Sequence, residues 1–413
     1  MTDTAPKRIA VVGGGITGVS AALFLQRDGH RVTIFEPDEF GTGTSMGNAG
    51  VISLASCIPT AMPGIPGRVP KMLLDPYGPL SIRWGYLPKL TPWLIAFLRN
   101  CTKDRARRNA MAKSALLDRA HDAYDTLIRM ADAEPLVARR GLLKVYETEA
   151  DFEAVRFEIE LLRHTGRRFD VVSGDEIRQL EPALAPVFAK GLFFDDNSGI
   201  RDPGRLVARF AETFVAGGGA VVAARATDFT GTGPYAVRTE GGAHDADIVV
   251  LAAGSWTARL ARRFGARILL DAERGYHVML PHPETPLNRP VALTKHSVFL
   301  SPMDRGMRLT TGVELGGNEA PPDYRRARRM IGRVAGSVRG FRAEERSAWL
   351  GFRPSTPSGV PFIGAVRGHR DVYVAAGGGH VGMTMGPVSG RIVADLVAGR
   401  DPDIDLTPYE VGR

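Results

Sequence analysis

The chain has 413 residues, 44% of them hydrophobic and 24% charged, a balance that excludes a disordered chain and a length too great for one simple core. Its formal charge is +8, but the basic residues are dispersed. The one tight run, Arg325, Arg326, Arg328 and Arg329, lies in a helix-like stretch and reads as a solvated face, so no nucleic-acid partner is expected. Two cysteines, Cys57 and Cys101, stand outside any metal or redox spacing, which excludes a disulfide framework, a metal site and an iron–sulfur centre held by this chain.

Arg8 to Val12 read as a buried strand, Gly13 to Gly18 as a tight turn, and Ile16 to Arg27 as a helix stopped at Gly29. Arg31 to Phe35 follow as a second strand, giving a βαβ start and hence a parallel sheet with helical cover. Residues 44–70 are rich in Gly, Pro, Ser and Asn, and so long an irregular stretch inside a globular chain is usually functional. Trp84, Tyr86, Leu87, Leu90, Trp93, Leu94, Ile95, Phe97 and Leu98, with Arg83, Lys89 and Arg99 around them, form an aromatic and apolar segment. It is too short to span a bilayer but suited to lie on one as a peripheral contact, to serve as a lid, or to pack as a core helix. A helix is expected over 110–131, a strand over 141–146, and a second helix from the Asp202-Pro203 start to the Gly217–Gly219 stop. Asp247 to Ala253 form an apolar strand ending on Gly254. Residues 275–315 read as several strands, and a last helix runs from Pro387 to Ala398.

The first and last parts share a Gly-rich texture that the middle lacks. The expected fold is therefore α/β: a discontinuous Rossmann-like cofactor domain (1–82, 141–225, 246–262 and 342–413) with an inserted α+β substrate domain (83–140, 226–245 and 263–341) carrying a mixed or antiparallel sheet. A site is expected at their interface.

Gly13-x-Gly15-x-x-Gly18 follows a strand and opens a helix, and Glu36 closes the second strand eighteen residues after Gly18. Gly13 permits the turn, Gly15 lets the backbone reach a pyrophosphate, Gly18 lets the helix pack on the strand, and Glu36 accepts from ribose hydroxyls. Ile16 and Thr17 stand at the helix N-terminus. Three features favour FAD over NAD: the extreme N-terminal position, the downstream strand ending at Ala253-Gly254, and a Gly-rich element Gly377 to Gly382 before the last helix. Gly379, His380, Val381, Gly382, Met383 and Thr384 are thereby placed at the flavin end.

Four stretches carry a resemblance: Val11 to Gly18, Thr44 to Ser53, Gly351 to Gly364, and Gly377 to Gly390. Over nearly its whole length the chain resembles the FAD-dependent D-amino-acid dehydrogenases and, more broadly, the glycine/sarcosine oxidase-like flavoproteins. Glu273 to Val278 look like the branch containing hydroxy-D-proline dehydrogenases, although that branch reads Gly-His-Gly-His before the last helix where this chain has Gly378 in place of the first His. The resemblance implies that Thr44, Ser45, Asn48, Ala49, Gly50 and Val51 lie along the flavin, with Thr227 on the adenine side. Arg353, in a Gly-x-Arg-Pro turn, is the expected clamp for a substrate carboxylate. Tyr276 is expected to bind the same carboxylate, with Arg274 and His277 on the opposite face of its strand, and His380 to touch flavin or substrate amine. His296 and Lys295 are weaker candidates for the pocket wall.

The expected reaction is oxidation of a small amino acid, by implication a D-amino acid. Hydride passes from Cα to flavin N5, an imine is the product, and electrons go on to a quinone or another carrier. The alternatives are an oxygen-using glycine/sarcosine-type oxidase and the catalytic subunit of a heteromeric dehydrogenase with partner subunits. A short polar N-terminus running straight into a strand leads us to expect a cytoplasmic protein, peripheral on the inner membrane face if the segment around Trp93 meets lipid.

Overall fold

The computed structural model describes residues 5–75 and 78–412. The βαβ start forms as the periodicity predicts: Arg8–Val12, Ile16–Arg27 and Arg31–Phe35. These strands sit in a six-stranded sheet in the order Ala220–Val222, Arg31–Phe35, Arg8–Val12, Ile248–Leu251, His369–Ala376, Phe362–Val366. All neighbours are parallel except the last pair. The central strands Arg8–Val12 and Ile248–Leu251 are almost wholly buried, which explains their continuous apolar runs: a parallel sheet is covered on both faces.

The second body is a ten-stranded mixed sheet built around the long strand Asp271–Leu280, which pairs antiparallel with Ser347–Ser355 on one side and with Gly306–Thr310 and Val313–Leu315 on the other. The α/β fold with a mixed second sheet is thus as expected. The allocation of segments differs. Leu142–Tyr146, Asp170–Ser173 and Lys190–Phe194, expected in the cofactor part, are strands of the large sheet, as is Ser347–Ser355. Conversely, residues 228–246, expected in the substrate part, form a three-stranded sheet whose Tyr235 and Val237 pack with Ala10, Val12 and Val249 of the parallel sheet. Apolar alternation marks a strand but does not say which sheet it joins.

Two helices also depart from expectation. The stretch 110–131 is two helices, Lys103–Leu117 and Ala120–Met130. The last helix begins five residues before Pro387, spanning Gly382–Val397. A proline inside a helix leaves the carbonyl four residues back without its partner, here that of Met383. The Tyr124 hydroxyl donates to that carbonyl at 2.6 Å, so the proline is accommodated. Within the apolar segment, Leu90 and Trp93 are buried, and the Trp93 indole donates to the Ser355 carbonyl at 2.9 Å. No described helix is long and apolar enough to cross a membrane.

Candidate active site

A single cavity of about 620 Å³ runs between the two sheets, from Glu36 past the N-terminus of helix Ile16–Arg27 to His380 and Arg353. Its first half is built by backbone. Gly13 has φ +112°, and a Cβ there would lie 2.5 Å from the Ala252 carbonyl oxygen. A Cβ on Gly18 would lie 1.8 Å from the Gly13 oxygen, so Gly18 brings helix and turn together and does not itself line the cavity. At Gly254 and Gly382, which do line it, a Cβ would meet no protein atom within 4 Å. It would stand in the cavity.

Glu36 closes its strand as predicted. Its carboxylate accepts from the Gly14 amide at 2.6 Å and the Asp38 amide at 3.2 Å. Burial pushes its pKa up, and these amides oppose the rise. Helix Ile16–Arg27 has Gly15 at its N-cap, and neither it nor helix Gly382–Val397 is capped by the side chain of its own N-cap residue. Both open onto the cavity with amides and positive dipole ends.

The irregular stretch supplies the next wall. Thr44, Ser45, Asn48, Ala49 and Val51 line the cavity, and Thr227, Ala253, Gly379, Val381, Met383 and Thr384 join them from other elements. Several of these side chains also hold backbone. Ser45 Oγ accepts from the Ile16 amide at 3.1 Å, Asn48 Oδ1 from the Gly50 amide at 2.9 Å, and Thr384 Oγ1 from the Ser53 amide at 3.0 Å. Arg308, which the sequence reading missed, donates from Nη1 to the carbonyls of Met46 and Asn48 at 2.7 and 2.6 Å. Gly50 is a correction. It has φ +67°, and a Cβ would approach the Ile200 oxygen to 2.6 Å. It serves the pairing of Val51–Ile52 with Ser198–Ile200 and is absent from the cavity wall.

The far end of the cavity is a strand pair. The register sets Glu273 opposite Arg353, Gly275 opposite Gly351, and His277 opposite Trp349, so these six share one face. Trp349 stacks on His277 with ring centroids 5.1 Å apart. The His277 Nδ1 lies 3.3 Å from the Gly47 carbonyl oxygen. Burial, aided by the charge of Arg308, brings the His277 pKa down to about 3, so this ring is neutral. Arg353 lies over Gly275, where a Cβ would come within 2.2 Å of Cζ.

Arg353 donates from Nη1 to the Gly312 carbonyl at 3.2 Å and to His380 Nε2 at 3.3 Å. Among the described residues no carboxylate comes within ion-pair distance of it, and its Nε and Nη2 make no hydrogen bond. A guanidinium in a cavity with one edge open is fitted to take a carboxylate through two parallel bonds. The His380 pKa is held well below the ordinary value, first by desolvation at the cavity and then by the charges of Arg353 and Lys113.

Tyr276 is the second correction. Its hydroxyl donates to Glu314 at 2.6 Å and accepts from the Asp323 amide at 3.0 Å. Glu314 also takes Arg83 and the fully buried Arg274 at 2.7 and 2.8 Å. Residues two apart on a strand share a face, so Arg274 lies with Tyr276, and only His277 points the other way. Tyr276 is therefore bound into an ion-pair network behind the strand and does not reach the Arg353 cavity. Lys295 and His296 both turn to Glu147 and lie outside that cavity as well. Glu273 and Trp349 were missed by the sequence reading. The signal that finds them is the alternation Glu273-x-Gly275-x-His277 set against Trp349-x-Gly351-x-Arg353.

The cavity's adjoining glycine turn, acid and two helix N-termini fit FAD: Glu36 would hold the ribose, the first helix end the pyrophosphate, and Ser45, Asn48, Ala49 and Val51 with residues 379–384 the ring. Comparison with known proteins agrees. Residues 8–396 match the DAO family of FAD dependent oxidoreductases. The chain belongs to that family. It is 36% identical to a D-amino-acid oxidase of Bradyrhizobium diazoefficiens over 98% of this chain and 99% of that protein. It is 31% identical to a D-amino acid dehydrogenase of Xanthobacter autotrophicus, again over 98% and 99%. In fold it is similar to glycine oxidase from Geobacillus kaustophilus, with a TM-score of 0.76 and 24% identity over 98% of this chain and 99% of that one. L-proline dehydrogenase from P. horikoshii superposes with a TM-score of 0.73 at 18% identity over 98% and 96%. The family member described here is thus an FAD-dependent oxidoreductase.

Proposed function

We propose that this flavoprotein oxidises small D-amino acids to imino acids. The observation that carries the reading is the open Nε/Nη2 edge of Arg353 at the far end of the FAD cavity. Arg353 takes the substrate carboxylate and so orients the Cα. Trp349, Leu350 and Phe299 wall that end with apolar surface, which keeps water from the reacting carbon and favours a neutral amine over an ammonium. The positive charge of Arg353 acts in the same sense. His380 stands beside the clamp, with its Nε2 3.3 Å from Arg353 Nη1. FAD, when bound, supplies the two-electron acceptor for the hydride leaving Cα. The imine then hydrolyses in water, or persists if the amine is secondary and cyclic.

The names of both relatives support a D-amino acid. They differ on the acceptor, one being an oxidase and the other a dehydrogenase. We favour a quinone or another carrier, because of the apolar segment beside the site. Of the eleven exposed large hydrophobic residues described, four (Leu74, Trp84, Ile95 and Leu98) fall within 25 residues of chain, and Arg68, Lys71, Lys89 and Arg99 are exposed around them. Such a surface suits the face of an anionic bilayer where a lipid quinone resides.

Anaerobic bleaching of the flavin with a panel of D- and L-amino acids, including D-proline, hydroxy-D-proline, glycine and sarcosine, tests the reading. Bleaching by D-amino acids alone is the expected result. Bleaching by L-amino acids alone, or by none, overturns it. Peroxide formation in air at the full turnover rate would move the acceptor to oxygen.

A further inference from the structure

Glu273 is a buried carboxylate, 5% exposed, set directly across the strand pair from Arg353. It lies outside the cavity wall, so it does not meet substrate. Its Oε2 stands 3.2 Å from His380 Nδ1, outside hydrogen-bond geometry, and the Ser355 hydroxyl is the neutral group that bears on the same carboxylate. On the other side of the ring, His380 Nε2 is 3.3 Å from Arg353 Nη1. A guanidinium can only donate, so Nε2 must offer its lone pair. The ring proton then belongs on Nδ1, the nitrogen that faces Glu273. The contact lies at hydrogen-bond distance but is not well aligned.

Resting on the carboxylate-clamp reading above, we propose that Glu273 is a positioning residue: it holds the Nδ1 proton of His380, and His380 Nε2 in turn holds Arg353 Nη1, so that the Nε/Nη2 edge is presented to the substrate carboxylate. The chain of contacts runs Glu273, His380, Arg353, Gly312 and uses two strands, the turn before the last helix and the loop at Gly312. The charged groups facing this chain are Lys113 from helix Lys103–Leu117 and Asp271 from Glu273's own strand. Lys113 is itself buried and donates to the Ile58 carbonyl at 2.9 Å. Without an acceptor at Nδ1, a neutral imidazole is free to carry its proton on Nε2. That proton would then confront an Arg353 donor.

The test joins two readouts on the FAD-loaded protein. The first is the tautomer of His380, read without substrate from the 15N shifts of labelled imidazole and assigned with His380→Asn. The second is the KM and kcat split for the amino acid that bleaches the flavin. Wild-type His380 is expected as the Nδ1–H tautomer. Glu273→Leu should lower that share and raise KM about tenfold, with kcat changed less than about threefold, the size of one lost charge-assisted hydrogen bond. Glu273→Gln, whose amide oxygen can still accept from Nδ1, should restore the tautomer and bring KM to within about threefold of wild type. A role in packing alone would lower the melting temperature of both variants and move neither readout. A wild-type His380 carrying its proton on Nε2, or a Glu273→Leu variant that binds FAD with tautomer and KM unchanged, overturns the proposal. If no amino acid is oxidised yet the tautomer shifts as described, the reading of the substrate falls and the positioning role of Glu273 stands.

Discussion

The two ends of the cavity are made of different material. The end that fits the cofactor is backbone: glycines without Cβ, helix termini whose N-cap residues carry no capping side chain, and side chains such as Ser45, Asn48 and Thr384 that are occupied in holding that backbone. The end proposed for substrate is side chain: Arg353 and Trp349, on a strand set in register against Asp271–Leu280, and His380 from the turn before the last helix. A cavity made of backbone binds what all members of a family share. A cavity made of side chains can be rewritten one residue at a time.

That contrast can be broken experimentally, beginning where the effect should be greatest. Gly13→Val places a branched side chain at φ +112° against the Ala252 carbonyl and is expected to yield protein without flavin, measured by absorbance of the purified chain. Retained FAD would mean that the backbone end tolerates side chains after all. Arg353→Met should keep its flavin but lose about a thousandfold in kcat/KM, corresponding to about 4 kcal/mol for two charge-assisted hydrogen bonds. A loss below tenfold would place the carboxylate elsewhere.

His277 sits where the two materials meet, and its neutrality has a pH signature. Its folded pKa of about 3 lies below the ordinary 6.5, so between these values the unfolded chain binds the extra proton. The contribution to stability is complete above pH 6.5 and is lost as pH falls toward 3, at up to about 1.4 kcal/mol per pH unit. His277→Gln should flatten the denaturant-derived stability profile over that window. A parallel profile would show that the ring is charged in the folded protein. Last, Gly275→Ala puts a methyl 2.2 Å from the Arg353 Cζ and should raise KM about tenfold through a displaced clamp, while flavin content stays unchanged. An unaltered KM would show that the guanidinium has room to shift.

The same contrast explains what was legible in the sequence. The Gly13–Gly18 turn, Glu36 and the segment 44–51 are local patterns, and the structure brings most of them to one cavity; Gly50 is absent from its wall, because a glycine can serve a strand pairing as readily as a ligand. Arg353 was legible from its Gly-x-Arg-Pro setting. Tyr276 was misplaced, and Glu273 and Trp349 were overlooked, because each depends on which strand lies opposite. No local pattern carries that information. The same limit assigned residues 142–194 to the cofactor part. The start of the last helix was missed for another reason: Pro387 reads as a helix start unless one knows that Tyr124, more than 250 residues earlier in the chain, satisfies the Met383 carbonyl.

The strand Asp271–Leu280 has an evolutionary consequence. Its even-numbered residues Arg274 and Tyr276 belong to an ion-pair network with Glu314, and its odd-numbered residues lie on the side toward the cavity, where Gly275 lines the wall and Glu273 and His277 stand just behind it. Selection can therefore act on the two sets separately. The side toward the cavity can drift by substitution at every second position without disturbing the scaffold behind it. Insertion or deletion of one residue would exchange the two sets, turning a buried salt bridge into the cavity and the clamp's support into the core. This segment should diversify by substitution and keep its length.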